Sequence, residues 1–129
     1  MAAHPRRYSV TATTNASGAA TVYLPATAGE TLSGEIVNVI YAKTDFADGV
    51  DFTGTLEATG QTVWTESNVN ASKTVAPRQA SHSTAGVAAV YAAAGEAVLV
   101  PIVAVADRLK IVIASGGDTK TGTFTVVVQ

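Results

Sequence analysis

The chain has 129 residues and a mass of 13.1 kDa, room for one domain around one core. Ala, Thr, Val and Gly supply 24, 18, 18 and 11 residues against ten Leu and Ile together and eight aromatics, so the core is thin and β-branched, which favours sheet over helix. A net charge of −2 with 14% charged residues excludes a strongly basic nucleic-acid binder, and zero cysteines exclude disulfides, thiol catalysis and Cys-ligated metal sites.

In chain order, Met1 to Arg7 contains Pro5 and two arginines ahead of any alternation and reads as an N-terminal arm, with residues 8–129 as a single β-sandwich domain. No apolar run follows it, so the expectation is a chain without a signal or transit peptide. Tyr8, Val10 and Ala12 alternate with Ser9, Thr11 and Thr13 as a first strand. Asn15 to Gly18 supplies a turn, and Ala19 to Leu24 a second strand closing a hairpin. Glu35 to Tyr41 is apolar on both faces and reads as an inner strand, and Lys43 to Gly49 as a charged loop. Val50 to Ala58, the turn Thr59-Gly60 and Gln61 to Glu66 form the clearest hairpin.

Residues 67–86 are rich in Ser, Asn and Thr, without a period, and longer than an ordinary connection. Val87 to Ala94 fits a short strand or a single helical turn. Val98 to Ala104 reads as a strand placed at an edge by Pro101, which has no N–H for an inner ladder. Arg108 to Ala114, the turn Ser115 to Lys120 and Thr121 to Val128 complete about eight antiparallel strands. Short strands joined by several long connections favour a two-sheet sandwich of jelly-roll type. The longest apolar run, Ala97 to Ala106, is ten residues and interrupted by Pro101, about half the length a membrane-spanning helix needs.

Side chains capable of chemistry are few. His4 and His82 lack neighbours at ligand spacing. Ser81-His82-Ser83 places a nucleophile beside a base in sequence but without an orienting carboxylate. Asp45, Asp48 and Asp51 recur every third residue, unlike the alternate ligands of a calcium loop. A facing acid pair for glycoside hydrolysis could be placed at Asp51 and Glu66, although a solvated polar face accounts for them as well. Gly116-Gly117 with Lys120-Thr121 departs from phosphate-loop spacing and leads into a strand, so it reads as a hairpin turn. The expectation is therefore no enzyme, no metal and no cofactor.

Charge is unevenly placed. Residues 1–29 carry +2, residues 30–66 carry −6 and residues 67–129 carry +2, an asymmetry that suits docking against another copy or a complementary surface. Trp64 is either a core residue with Val63 turned outward or an exposed aromatic anchor of the kind that stacks on sugars.

Three stretches carry a family likeness: Lys43 to Phe52, the hairpin Leu56 to Glu66 with Val69-Asn70-Ala71-Ser72, and the tail Arg108 to Phe124. Together they resemble small structural proteins of tailed double-stranded DNA bacteriophages. Members with an assigned role resemble capsid cement or decoration proteins, β-sandwiches that bind the outside of the shell as oligomers. The resemblance implies a virion protein made in the host cytoplasm, with the major capsid protein and further copies of itself (a dimer or trimer) as partners, and neither nucleic acid nor membrane among them. The contact residues expected on physical grounds, where the chain offers groups that a partner can cover, are Arg6 and Arg7 in the arm, Arg78 in the long loop, and Val98, Val100 and Ile102 on the edge strand. A carbohydrate-binding or adhesive module displayed on a virion is the alternative.

Overall fold

A computed structural model describes residues 4–129, and Met1 to Ala3 of the expected arm lie outside them. Backbone alternation and β-branched side chains produce eleven strands and, among the described residues, no helix. They are β1 (Arg6–Thr13), β2 (Ala20–Leu24), β3 (Leu32–Lys43), β4 (Val50–Leu56), β5 (Thr62–Val69), β6 (Lys73–Val75), β7 (Arg78–Ala80), β8 (Leu99–Pro101), β9 (Val103–Asp107), β10 (Leu109–Ala114) and β11 (Thr121–Val128). One sheet runs β1-β11-β3, and the far edge of β3 is shared: β6 pairs with Val39 to Tyr41 at one end and β9 with Leu32 to Glu35 at the other. A second sheet runs β2-β10-β4-β5, and β7 and β8 form a separate two-stranded ladder. Every pairing is antiparallel.

The two larger sheets bury their apolar faces against each other. In β1 and β11, Val10 stands opposite Phe124 and Ala12 opposite Gly122, while Tyr41 of β3 flanks Phe124 on the other side. Tyr41 meets Phe52 of the facing sheet at 4.7 Å between ring centres, and Phe124 meets Phe52 at 5.0 Å, both edge-on. Large rings at the centre compensate for the many alanines and valines, since each aromatic side chain buries about 150–250 Å².

Several expectations are corrected by this arrangement. Strands number eleven rather than about eight, because residues 67–86 contain β6 and β7 and the expected strand Val98 to Ala104 divides at Ile102 into β8 and β9. Arg6 and Arg7 belong to β1, paired with Val128 and Val127, rather than to a free arm. The alternation of β1 and β11 continues through both arginines, because backbone pairing is indifferent to a charged side chain that points to solvent.

The turns at Asn15 to Gly18 and Ser115 to Lys120 are corners between sheets, not hairpins: β1 pairs with β11 whereas β2 pairs with β10. The two corners are bonded side by side. The Gly116 N–H donates to the Gly18 carbonyl at 2.9 Å, and the buried Thr14 hydroxyl donates to the Gly117 carbonyl at 2.6 Å while accepting from the Lys120 N–H.

The hairpin β4–β5 forms as expected, with the Gly60 N–H on the Leu56 carbonyl at 2.8 Å, but it carries a bulge. Gly54 pairs with Trp64 and the next residue, Thr55, pairs with Thr62, so Val63 is an extra residue on β5. Val63 and Trp64 are consequently both buried, and Val63 does not turn outward.

Candidate interaction surface

β6 and β9 occupy the same edge of β3, and the chain between them leaves the body. Its roots are buried: Pro77 on the way out and Ile102 on the way back, where the Ile102 carbonyl accepts the Ile36 N–H at 2.9 Å. Residues 78–101 form an arm whose stem is the β7–β8 ladder, with Gln79 opposite Val100. At the end of the stem three segments meet in a closed ring of backbone hydrogen bonds. The Ser81 N–H donates to Val98, the Val98 N–H to Ala89 and the Ala89 N–H to Ser81, each at 2.9 Å. Two small hairpins diverge from this junction. One turns at Ser83 to Gly86 and the other at Ala92 to Gly95, closed by N–H to carbonyl bonds of 2.9 and 2.8 Å. Val87 to Ala94, ambiguous from sequence, is thus extended backbone ending in the second turn, and residues 82–96 are exposed throughout.

The surface this produces is apolar. Seven large hydrophobic side chains are exposed among the described residues, and six of them, Val87, Val90, Tyr91, Leu99, Val103 and Val105, lie on the arm or on β9. Tyr91 and Val105 are each 77% exposed. From Gln79 to Ala106, 28 residues, the one formal charge is Glu96. Isolated soluble domains guard such edges with lysines or other charges, and the outward side chains of β9, Val103 and Val105, carry none.

The nominated contact residues are placed unevenly. Arg78 is exposed at the root, its Nη1 donating to the Pro77 carbonyl at 2.9 Å. Arg7 is exposed, and it shares the strand parity of Ser9, Thr11 and Thr13 on the outer face of the first sheet. Arg6 is exposed as well, with its Nη2 donating to the Ser33 carbonyl at 2.6 Å. Val98 and Val100 are half-buried, and Ile102 is a core residue at 1% exposure, so its side chain is not available for contact. The outward side chains are the odd-numbered Leu99, Val103 and Val105. The sequence identified the strand but not which side chains face inward, Ile102 among them, because a run that is apolar at every position carries no parity signal.

Groups with chemical potential do not converge. The Asp45 carboxylate accepts the Thr121 N–H at 2.7 Å and Asp48 pairs with Lys43 at 2.8 Å, while Asp51 accepts the Asn68 N–H at 3.0 Å. Each acid thus fastens a different turn. The Thr121 N–H, with the Thr121 hydroxyl and Lys120 adding to it, holds the Asp45 carboxyl below its ordinary pKa. Glu66 is paired with Lys73 and accepts the Trp64 indole N–H at 3.0 Å, and these bonds lower its pKa. No group of three or more potential metal ligands occurs among the described residues, and His4 and His82 are exposed. Trp64 packs on Phe52 at 5.3 Å and is buried, so it offers no stacking platform for a sugar.

One open depression of about 300 Å³ lies beside Thr31, Glu57, Ala58 and Ala106 to Arg108. Its carboxylates are engaged by structure, while the Arg108 Nε is buried without a hydrogen-bond partner. The buried Asp107 carboxylate accepts the N–H groups of Ala58 and Arg108 at 2.8 and 2.7 Å, tying the β4–β5 turn to the β9–β10 junction. The Arg108 guanidinium lies over the Tyr23 ring at 4.1 Å.

No protein-family model, curated protein or solved structure matches this chain. The interaction surface therefore has to be interpreted from its own geometry.

Proposed function

We propose that this protein is a structural component of a tailed-phage virion that seats on the outer surface of the capsid shell and stabilises it, with the major capsid protein as its partner. The observation that carries the reading is the projecting arm: a charge-poor, exposed apolar device on a tightly tied body belongs in an assembly, where a neighbour covers it. The likeness of residues 43–72 and 108–124 to phage structural proteins supplies the kind of assembly. In this reading the protein is made in the host cytoplasm and works on the virion without catalysis.

The fold is, in the same reading, a jelly-roll sandwich. Supporting it are the strand orders β1-β11-β3-β6/β9 and β2-β10-β4-β5, in which β6 and β9 occupy one strand position interrupted by the arm. Counted so, the body has eight strands wound as two interlocked Greek keys. The outer face of the first sheet is lined by hydroxyls along β1 and β11. Ser9 and Thr11 there face Thr125 and Thr123, with hydroxyl pairs at 2.8 and 3.3 Å, and Arg7 is the positive charge on the β1 side. Such a face can seat on a shell with little desolvation of charge.

The test is the robustness of particles assembled with and without the protein. Decorated shells should withstand heat or chelation that opens undecorated ones, because many weakly held copies must be displaced together. Shells equally robust in both forms would exclude the cement role.

A further inference from the structure

Residues 79–106, the arm and β9, are an apolar strip of the chain that carries six of the seven large hydrophobic side chains exposed among the described residues. β9 pairs with β3 on one side only and turns Val103 and Val105 outward, while the arm exposes Leu99, Val90, Tyr91 and Val87. Three properties bear on what covers it. First, the arm and β9 expose six large apolar side chains, the composition of the buried core of an interface. Second, the strip holds one formal charge in 28 residues, so a charged partner face would be stripped of water with nothing to pair it. Third, its free edge is unguarded backbone, which is satisfied by antiparallel addition of another strand.

A charge-poor, apolar, open-edged partner with these features exists in the protein itself. A two-fold axis brings such a strip onto its own copy, apolar side chain against apolar side chain and antiparallel edge against edge. We propose that the arm and the outer edge of β9 form the self-association surface of this protein, occupied by the same surface of a second copy. The conformation of the arm agrees with this. Ala94 holds a left-handed backbone (φ 58°) at an exposed tip, a cost of about 1–2 kcal/mol for a residue with a Cβ, borne where the body supplies no packing. Two hairpins this small are not self-sustaining in water. The inference needs only that the chain works in an assembly and stands whether or not that assembly is a capsid shell.

Sedimentation velocity or light scattering of the whole protein tests it. The unmodified chain should form a defined oligomer, and the double variant Tyr91→Asp with Val105→Lys should weaken self-association by about 100-fold or more, the scale expected when central apolar contacts are replaced by charge. Both positions are 77% exposed, so the variant should keep its far-UV spectrum and a cooperative melt. A charge at the other edge of the same sheet, Thr11→Lys on β1, should leave the oligomer intact. An unmodified chain that stays monomeric, a double variant that associates as well as the original, or a Thr11→Lys protein that dissociates equally would overturn the proposal. A monomer that still protects shells overturns this inference alone, whereas an oligomer that protects none overturns the shell reading alone.

Discussion

The ring of Phe46 lies against the backbone of Gly122, so that a Cβ built on that glycine would stand 2.5 Å from the ring's Cε2. Phe46 belongs to the loop between β3 and β4, yet it is buried, closing one end of the core beside Tyr41 and Phe124. Gly122 is the gap that admits it. Gly122→Ala should therefore force the ring outward, and Gly122→Val should cost about 1–3 kcal/mol, the usual range for overpacking. Denaturant melts measure this, and Phe46→Ala combined with Gly122→Val should recover part of the loss relative to the sum of the single changes.

Phe46 also marks where the sequence was legible and where it was not. Period-2 alternation located β1 and β4, since each turns one face to the core and the other to solvent. It could not reveal that β1 and β2, adjacent in the chain, lie in different sheets, because a corner and a hairpin use the same turn residues. Phe46 stood alone among charged residues with no period around it. The arm was missed as a unit for a related reason: residues 67–86 lack periodicity and Val87 to Ala106 lacks parity, and pairing between such segments is visible only in three dimensions. The absence of charge from Gln79 to Ala106, broken once by Glu96, was the one readable sign that this stretch faces neither a core nor open water alone.

The Tyr41 hydroxyl is buried with no hydrogen-bond partner, and burial pushes its pKa up to about 12. The ring is needed, since it contacts Phe46, Phe52 and Phe124, but the oxygen adds an unmet desolvation cost. Tyr41→Phe should leave the fold intact and be neutral or stabilising by up to about 1 kcal/mol, while Tyr41→Ala should cost about 3–5 kcal/mol through the cavity it leaves. A Tyr41→Phe protein destabilised by several kcal/mol would mean that the hydroxyl has a partner.

Two carboxylates set the response to acid. The folded state lowers the pKa of Asp45, through the Thr121 N–H first, and of Glu66, through its bonds to Lys73 and Trp64. A group whose pKa is lower folded than unfolded stabilises the fold fully above its unfolded value and loses that contribution as pH falls through the folded one. The melting temperature should accordingly be nearly level from pH 7 to about 5 and fall below about pH 4, the ordinary carboxylate range. Asp45→Asn should flatten part of that fall. Protonation of Glu66 should also be visible in Trp64 emission, because the indole N–H donates to that carboxylate. A melting temperature that rises on acidification below pH 4 would contradict both assignments.

The last prediction concerns the two faces of one short segment. Ile102 and Val103 are neighbours, but Ile102 is 1% exposed while Val103 is 49% exposed. Ile102 lies at the point where the arm rejoins the body, its backbone carbonyl tied to Ile36 and its side chain within the core. An aspartate there would be a buried charge without a partner, so Ile102→Asp should cost at least about 3–5 kcal/mol and leave little folded protein. Val103→Asp introduces the same charge one residue later into solvent, opposite the exposed Glu35, and should cost the separated chain only about 0.2–1 kcal/mol. Its effect should appear in self-association, measured by the concentration dependence of sedimentation. Equal loss of stability at both positions would show that the strand does not present alternate faces to core and water, and the parity on which the apolar strip rests would fail with it.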